Sequence, residues 1–170
     1  HAVSADLAHW DELPIALYPD ALGECFSGSA IAAAEGHTGE GIGRDEILLF
    51  YTAHQKDAQG HDIQTQCLAI ANHELNRFRR HPANPLIPNP GLRAFRDPKV
   101  IWHAATARWV MVVTEGQAVR FYSSADALGW RHDSTFGADR GYHTTGPWEC
   151  PDLFALPHPD TGEAIWVLVV

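Results

Sequence analysis

Two carboxylates and a guanidinium stand out first. Asp97 lies in Phe95-Arg96-Asp97-Pro98-Lys99-Val100, and Glu149 in Trp148-Glu149-Cys150-Pro151-Asp152-Leu153-Phe154. Both runs mix charge with aromatic and apolar residues, and a carboxylate in an apolar setting needs a reason to be there. Two carboxylates and an arginine facing one pocket suit glycosidic-bond chemistry, in which a carboxylic acid protonates the leaving oxygen. Burial beside Trp148 and Phe154 would favour the protonated form of Glu149, as an acid requires. Plainer readings stand beside these. An Asp before Pro is commonly a turn residue, Arg96 suits a structural ion pair, and Ser27 and Ser29 around Gly28 suit a tight turn.

The elements that position such residues are short strands, with helical periodicity nearly absent. Lys99–His103, Trp109–Thr114, Ala118–Ser124 and Gly129–Ser134 read as a four-stranded meander. Ser27–Ala34, Glu46–His54, Ile63–Ala71 and Asn76–His81 repeat the plan. Ser4-Ala5-Asp6-Leu7-Ala8-His9-Trp10 matches Ser124-Ala125-Asp126-Ala127-Leu128-Gly129-Trp130, and Ala71–Phe78 is a looser copy. A repeated four-stranded sheet with one aromatic per unit marks a β-propeller, with a β-sandwich as the alternative. On the propeller reading, residues 1–13 end one blade, two blades follow near 25–81 and 95–135, and Glu149 opens a fourth. The innermost strand of each blade lines the central channel, so Phe26-Ser27-Gly28-Ser29, Arg96-Asp97 and Glu149 would share it.

Composition narrows the partners. The 170 residues carry a formal charge of −9, which argues against a nucleic-acid backbone. No apolar run approaches the roughly 18 residues of a membrane-spanning helix, so no membrane partner is expected. Cys25, Cys67 and Cys150 are too widely spaced for a zinc knuckle, although a disulfide between two of them is possible. The eleven histidines show no ligand spacing. Trp10, Trp102, Trp109, Trp130 and Trp166 read as packing between blades. Arg77–His81 reads as a solvated outer strand, and the Pro-rich 82–90 segment as a connector. The apolar Ile165–Val170 reads as a buried strand, which suggests that the protein is longer than these residues.

The ordered runs His1–Trp10, Phe26–Ala30, Phe95–Val100 and Trp148–Phe154 resemble glycoside hydrolase family 32, the β-fructosidases that include levanases, exo-inulinases and invertases. The likeness extends over essentially all 170 residues. It implies a five-bladed propeller catalytic domain, usually followed by a β-sandwich, that hydrolyses terminal β-D-fructofuranosyl bonds with retention through a covalent fructosyl-enzyme. By the same resemblance, Glu149 is the acid/base and Asp97 the transition-state stabiliser. Arg96, Phe26, Ser27 and Trp148 contact substrate, and neither a metal nor an organic cofactor is needed. The substrate partner would be a fructose-containing oligo- or polysaccharide. The family's nucleophile is an aspartate in an Asn-Asp-Pro-Asn-Gly run, which this sequence lacks. The chain is therefore expected to be an incomplete propeller domain without the β-sandwich, inactive by itself and part of an active glycosidase. A fructosyltransferase on the same scaffold and a non-catalytic fructan-binding propeller are the alternatives.

Overall fold

The computed structural model describes residues 1–143 and 145–170. Among the described residues twelve strands run in chain order: β1 (Ala2–Val3), β2 (Asp11–Glu12), β3 (Glu24–Ala32), β4 (Ile47–Lys56), β5 (Asp62–Ala71), β6 (Phe78–Arg80), β7 (Phe95–His103), β8 (Arg108–Glu115), β9 (Ala118–Ser124), β10 (Arg131–Phe136), β11 (Asp152–Pro157) and β12 (Ala164–Val169). They form four antiparallel sheets in sequence. β1 pairs with β2, β3 to β6 form one meander, β7 to β10 a second, and β11 pairs with β12.

The middle strands are apolar on both sides because each sheet is covered on both faces. Alternate residues of one strand therefore feed different cores. Leu48 and Phe50 of β4 and Leu68 and Ile70 of β5 meet Phe95, Val100, Trp109 and Met111 of the next sheet. Tyr51, Ala53, Cys67 and Ala69 turn the other way, onto Leu17 and Leu22. Val112 and Val119 continue the stack onto Leu153 of β11. Trp109 and Trp130 join neighbouring sheets as expected, whereas Trp10, 58% exposed, does not pack between them. Trp130 meets Phe50 edge-on at 5.7 Å between centroids, and Trp109, fully buried, donates its indole N–H to the His37 carbonyl.

The sequence repeat is one turn used three times. Asp6 Oδ1 accepts from the Ala8 and His9 N–H groups at 2.9 and 2.8 Å. Asp126 Oδ1 accepts from Leu128 and Gly129 at 3.0 and 2.9 Å, and Asn72 Oδ1 takes Asn76 and Arg77 in the looser copy. Leu7, Leu75 and Ala127 each hold a positive φ in these turns (63°, 54° and 65°). The side-chain oxygen supplies the backbone bonds that such a turn would otherwise lack. The turns join β1 to β2, β5 to β6 and β9 to β10, so the β1–β2 pair is the outer half of a blade.

Some expectations need correction. The inner strand of the third sheet starts at Phe95 instead of Lys99, because the Arg-Asp-Pro run is taken into the strand as a bulge. Arg96 pairs with Thr114 and Lys99 with Val112, leaving Asp97 and Pro98 opposite Val113 alone. A proline without an N–H is tolerated at such a position. The basic run is an outer strand as expected, with two of its charges paired: Arg79 with Glu46 and Arg80 with Asp20. The last strand, β12, is half-exposed on Ile165, Trp166 and Val169, since among the described residues β11 alone pairs with it. The three cysteines are free thiols.

Candidate active site

The close approach of two backbones builds the first wall of the site. A bulge between Phe26 and Gly28 lets β3 press onto β4, and a Cβ on Gly28 would fall 1.9 Å from the Phe50 carbonyl oxygen. Glycine is required there, and Phe26 and Ser27 beside the bulge both line the cleft. Ser29 then ties the two sheets together. Its hydroxyl donates to the Pro98 carbonyl at 2.8 Å and accepts from the Val100 N–H at 3.0 Å. That bond explains the second serine of the run, which tight-turn geometry alone does not.

The second wall is the bulge of β7. Asp97 sits at φ 61°, in the left-handed region that Asp tolerates better than most side chains, and is 6% exposed. Its Oδ2 accepts the Cys150 N–H at 2.9 Å, which anchors the segment before β11 to the third sheet. Arg96 is less enclosed, with 16% of its side chain exposed. Its Nη2 lies 3.0 Å from Glu149 Oε1, its Nε 3.9 Å from Asp97 Oδ2, and its Nη1 donates to Gln64 Oε1 at 3.3 Å. One guanidinium thus holds two carboxylates in register.

These groups line one cleft of about 600 Å³, together with Phe26, Ser27, Cys25, His54, Asp62, Gln64 and Cys150. Five of the six residues singled out from the sequence are brought together there: Glu149, Asp97, Arg96, Phe26 and Ser27. The sixth, Trp148, is outside the lining. Its indole packs toward Val112, Val119 and Leu153, stacks obliquely on His143 and covers Gly137, where a Cβ would lie 2.4 Å from the ring. The expected burial of Glu149 also needs correction. Its side chain is 61% exposed, because Trp148 turns into the core and leaves the carboxylate to the cleft and Arg96.

Two features of the cleft were not anticipated. Phe26 stacks on the His54 imidazole with centroids 4.3 Å apart, and His54 lies between Glu24 and Asp62. The His54 hydrogen bond, aided by Lys56, holds the Asp62 carboxyl below its usual range. Behind Arg96 and Asp97 lie three fully buried polar side chains, Thr52, Gln64 and Gln66. The signal was present as glutamines at alternate positions in Ile63-Gln64-Thr65-Gln66-Cys67, facing inward where apolar residues belong. Cys150 carries a thiol held above the usual range, through desolvation first and then through the negative charge of Asp97. A separate cleft of about 550 Å³, between β7–β10 and β11–β12, is almost wholly apolar and away from this chemistry.

An all-β chain of successive four-stranded blades, with acidic and basic side chains gathered on the inner strands, is a propeller with a polar cleft. The model of the glycosyl hydrolases family 32 N-terminal domain matches residues 1–170, and the chain belongs to that family. It is 42% identical over 172 residues to a levanase of Bacillus subtilis (strain 168), covering all of this chain and 24% of the levanase. Its fold superposes on an exo-inulinase from Aspergillus awamori with a TM-score of 0.81 at 32% identity, covering 99% of this chain and 37% of that one. A fructofuranosidase variant from Schwanniomyces occidentalis, solved with fructosylnystose, also gives 0.81 at 32% identity, over 99% and 32% of the two chains. The chain thus spans about a quarter of the levanase. The sheets are the end of the first blade, the second and third blades, and the start of the fourth blade of a five-bladed β-propeller.

Proposed function

We propose that this chain is part of a propeller catalytic domain that hydrolyses terminal β-D-fructofuranosyl bonds in fructans or sucrose, with a β-sandwich elsewhere in the protein. The observation that carries the reading is the meeting of Arg96 and Glu149 at 3.0 Å across two sheets, with Asp97 beside them in one cleft. In this reading Glu149 donates a proton to the glycosidic oxygen as the bond to the leaving sugar breaks. Its exposure to the cleft lets the same group then take a proton from water. Asp97 accepts hydrogen bonds from fructose hydroxyls and opposes the positive charge that grows at the anomeric carbon. Arg96 keeps both carboxylates aimed and sets the charge of the site. Phe26 and Ser27 line the sugar's approach.

The anomeric carbon also needs a carboxylate to form the covalent intermediate, and the family places it in an Asn-Asp-Pro-Asn-Gly run that this sequence does not contain. The chain then supplies the acid and the stabiliser, and activity belongs to the full-length protein. The test is fructose release from levan, inulin and sucrose by that protein. Glu149→Ala should abolish release from all three; release at the wild-type rate would overturn the assignment of the acid. Fructose oligomers as the main product at high sucrose would overturn hydrolysis in favour of transfer.

A further inference from the structure

The polar side chains behind the cleft serve no visible purpose in packing. Burying a polar group costs free energy that only a satisfied hydrogen bond offsets, and an apolar side chain fills the same space without that cost. Yet Thr52 of β4 and Gln64 and Gln66 of β5 are all buried in otherwise apolar middle strands. Thr52 and Gln66 are cross-strand partners, and the Thr52 hydroxyl donates to Gln66 Oε1 at 2.8 Å.

All three reach out of their own blade to the Phe95–Asp97 run of the next. Gln64 Oε1 accepts the Phe95 N–H at 2.8 Å and also meets Arg96. Gln66 Nε2 donates to the Phe95 carbonyl at 2.8 Å. Thr52 Oγ1 accepts the Asp97 N–H at 2.9 Å. The last bond is made at the residue that holds φ 61°. A strained backbone persists only where its surroundings over-determine it, and an Asp97 N–H buried without a partner would relax the bulge.

We propose that Thr52 and Gln66 form a positioning relay that holds the Asp97 bulge from the neighbouring blade and so aims Asp97 and Arg96 into the cleft. The inference rests on the reading of Asp97 as the stabiliser. Neither residue touches substrate; both act through Asp97. The relay makes the alignment of two blades a condition for the geometry of the site, since its donors and acceptors sit on one sheet and the strained residue on the next.

The experiment uses the full-length protein and the isosteric pair Thr52→Val and Thr52→Ser, with Asp97→Asn as reference. Thr52→Val keeps the β-branched shape and removes the hydroxyl; Thr52→Ser keeps the hydroxyl. The expected result, well below the melting temperature, is a fall in kcat of about 10- to 100-fold for Thr52→Val with little change in KM, as sub-ångström misplacement of a reacting group produces. Thr52→Ser should recover most of that rate. A merely structural threonine would lower the melting temperature and leave kcat of the folded enzyme unchanged, which would overturn the proposal. Equal losses for Val and Ser would also overturn it. Should Thr52→Val fail to fold, Gln66→Leu is read by the same kcat and KM criteria. An inactive Asp97→Asn with a normal Thr52→Val overturns the relay alone, whereas an active Asp97→Asn overturns the reading of the site and the relay with it.

Discussion

Arg96 on the inner strand of one blade donates to Glu149, which precedes the inner strand of the next, across 3.0 Å. The two residues are separated by the whole β8–β10 meander, and only the stacking of blades brings them together. Arg96 is nearly enclosed, while Glu149 is open to solvent at one side. The pair is therefore weak as a source of stability and strong as a constraint on direction.

Arg96→Lys tests that division. A lysine ammonium is one point charge and cannot serve Gln64, Asp97 and Glu149 together. Fructose release by the full-length protein should fall about 100-fold in kcat/KM, as lost alignment of catalytic groups does elsewhere. Stability should change by about 1 kcal/mol or less, as for other exposed pairs. Parallel kinetics and thermal melts check both parts, and near-normal kcat/KM would show that the fork geometry of Arg96 is dispensable.

Gly28→Ala addresses the other wall of the cleft. The added methyl would meet the Phe50 carbonyl at 1.9 Å, and the obstacle is backbone in the middle of a sheet, which cannot swing aside. Separating β3 from β4 should cost about 3 kcal/mol, the upper range for overpacked sites. Urea unfolding measures it. A loss below about 1 kcal/mol would mean that the bulge has slack that the register does not show.

How much of this is legible in the sequence depends on distance along the chain. The Ser-x-Asp turns at Ser4–Trp10 and Ser124–Trp130 are local: an oxygen two residues from its donors writes the turn into the sequence, and with it the blade repeat. Gln64 and Gln66 find their partners 31 and 29 residues away in another blade, so their alternation was visible but its target was not. The direction of Trp148 was likewise hidden, because the neighbour of Glu149 in sequence belongs to the core between blades in space. Asp97-Pro98 looked like a turn because its left-handed backbone is that of a turn. It is a strand bulge, held by groups that propensity alone does not see.

The Glu46–Arg79 pair ties the loop before β4 to the outer strand β6 and should appear in the acid limb of stability. The Arg79 hydrogen bond holds the Glu46 carboxyl below its ordinary value of 4.5. A carboxyl depressed in the folded state stabilises above its unfolded pKa, and that contribution disappears as pH falls through the folded value. Glu46→Gln should therefore be less stable than wild type at pH 7, by about 1 kcal/mol or less, with the gap closing below about pH 4.5 as wild type loses the pair. Denaturant unfolding at a series of pH values from 7 downward gives the comparison; a gap that does not narrow as pH falls below 4.5 would assign the effect to lost packing.

Cys150 offers a chemical reading of the cleft. Of the three thiols, Cys67 is fully buried and Cys25 half-buried, whereas Cys150 is exposed beside Asp97 and Glu149. A disulfide reagent should label Cys150 first and, by filling the cleft, suppress fructose release by the full-length protein. The thiolate is the reactive form, and desolvation together with the Asp97 charge raises the Cys150 thiol above its ordinary value of 9.0. Labelling should accordingly be slow at neutral pH and still accelerate above pH 9, against the ordinary value. Replacing Asp97 with Asn removes the nearest negative charge and should shift that acceleration to lower pH. An unshifted labelling profile in Asp97→Asn would show that the two groups do not share the cleft electrostatically, against the 2.9 Å bond from the Cys150 N–H to Asp97.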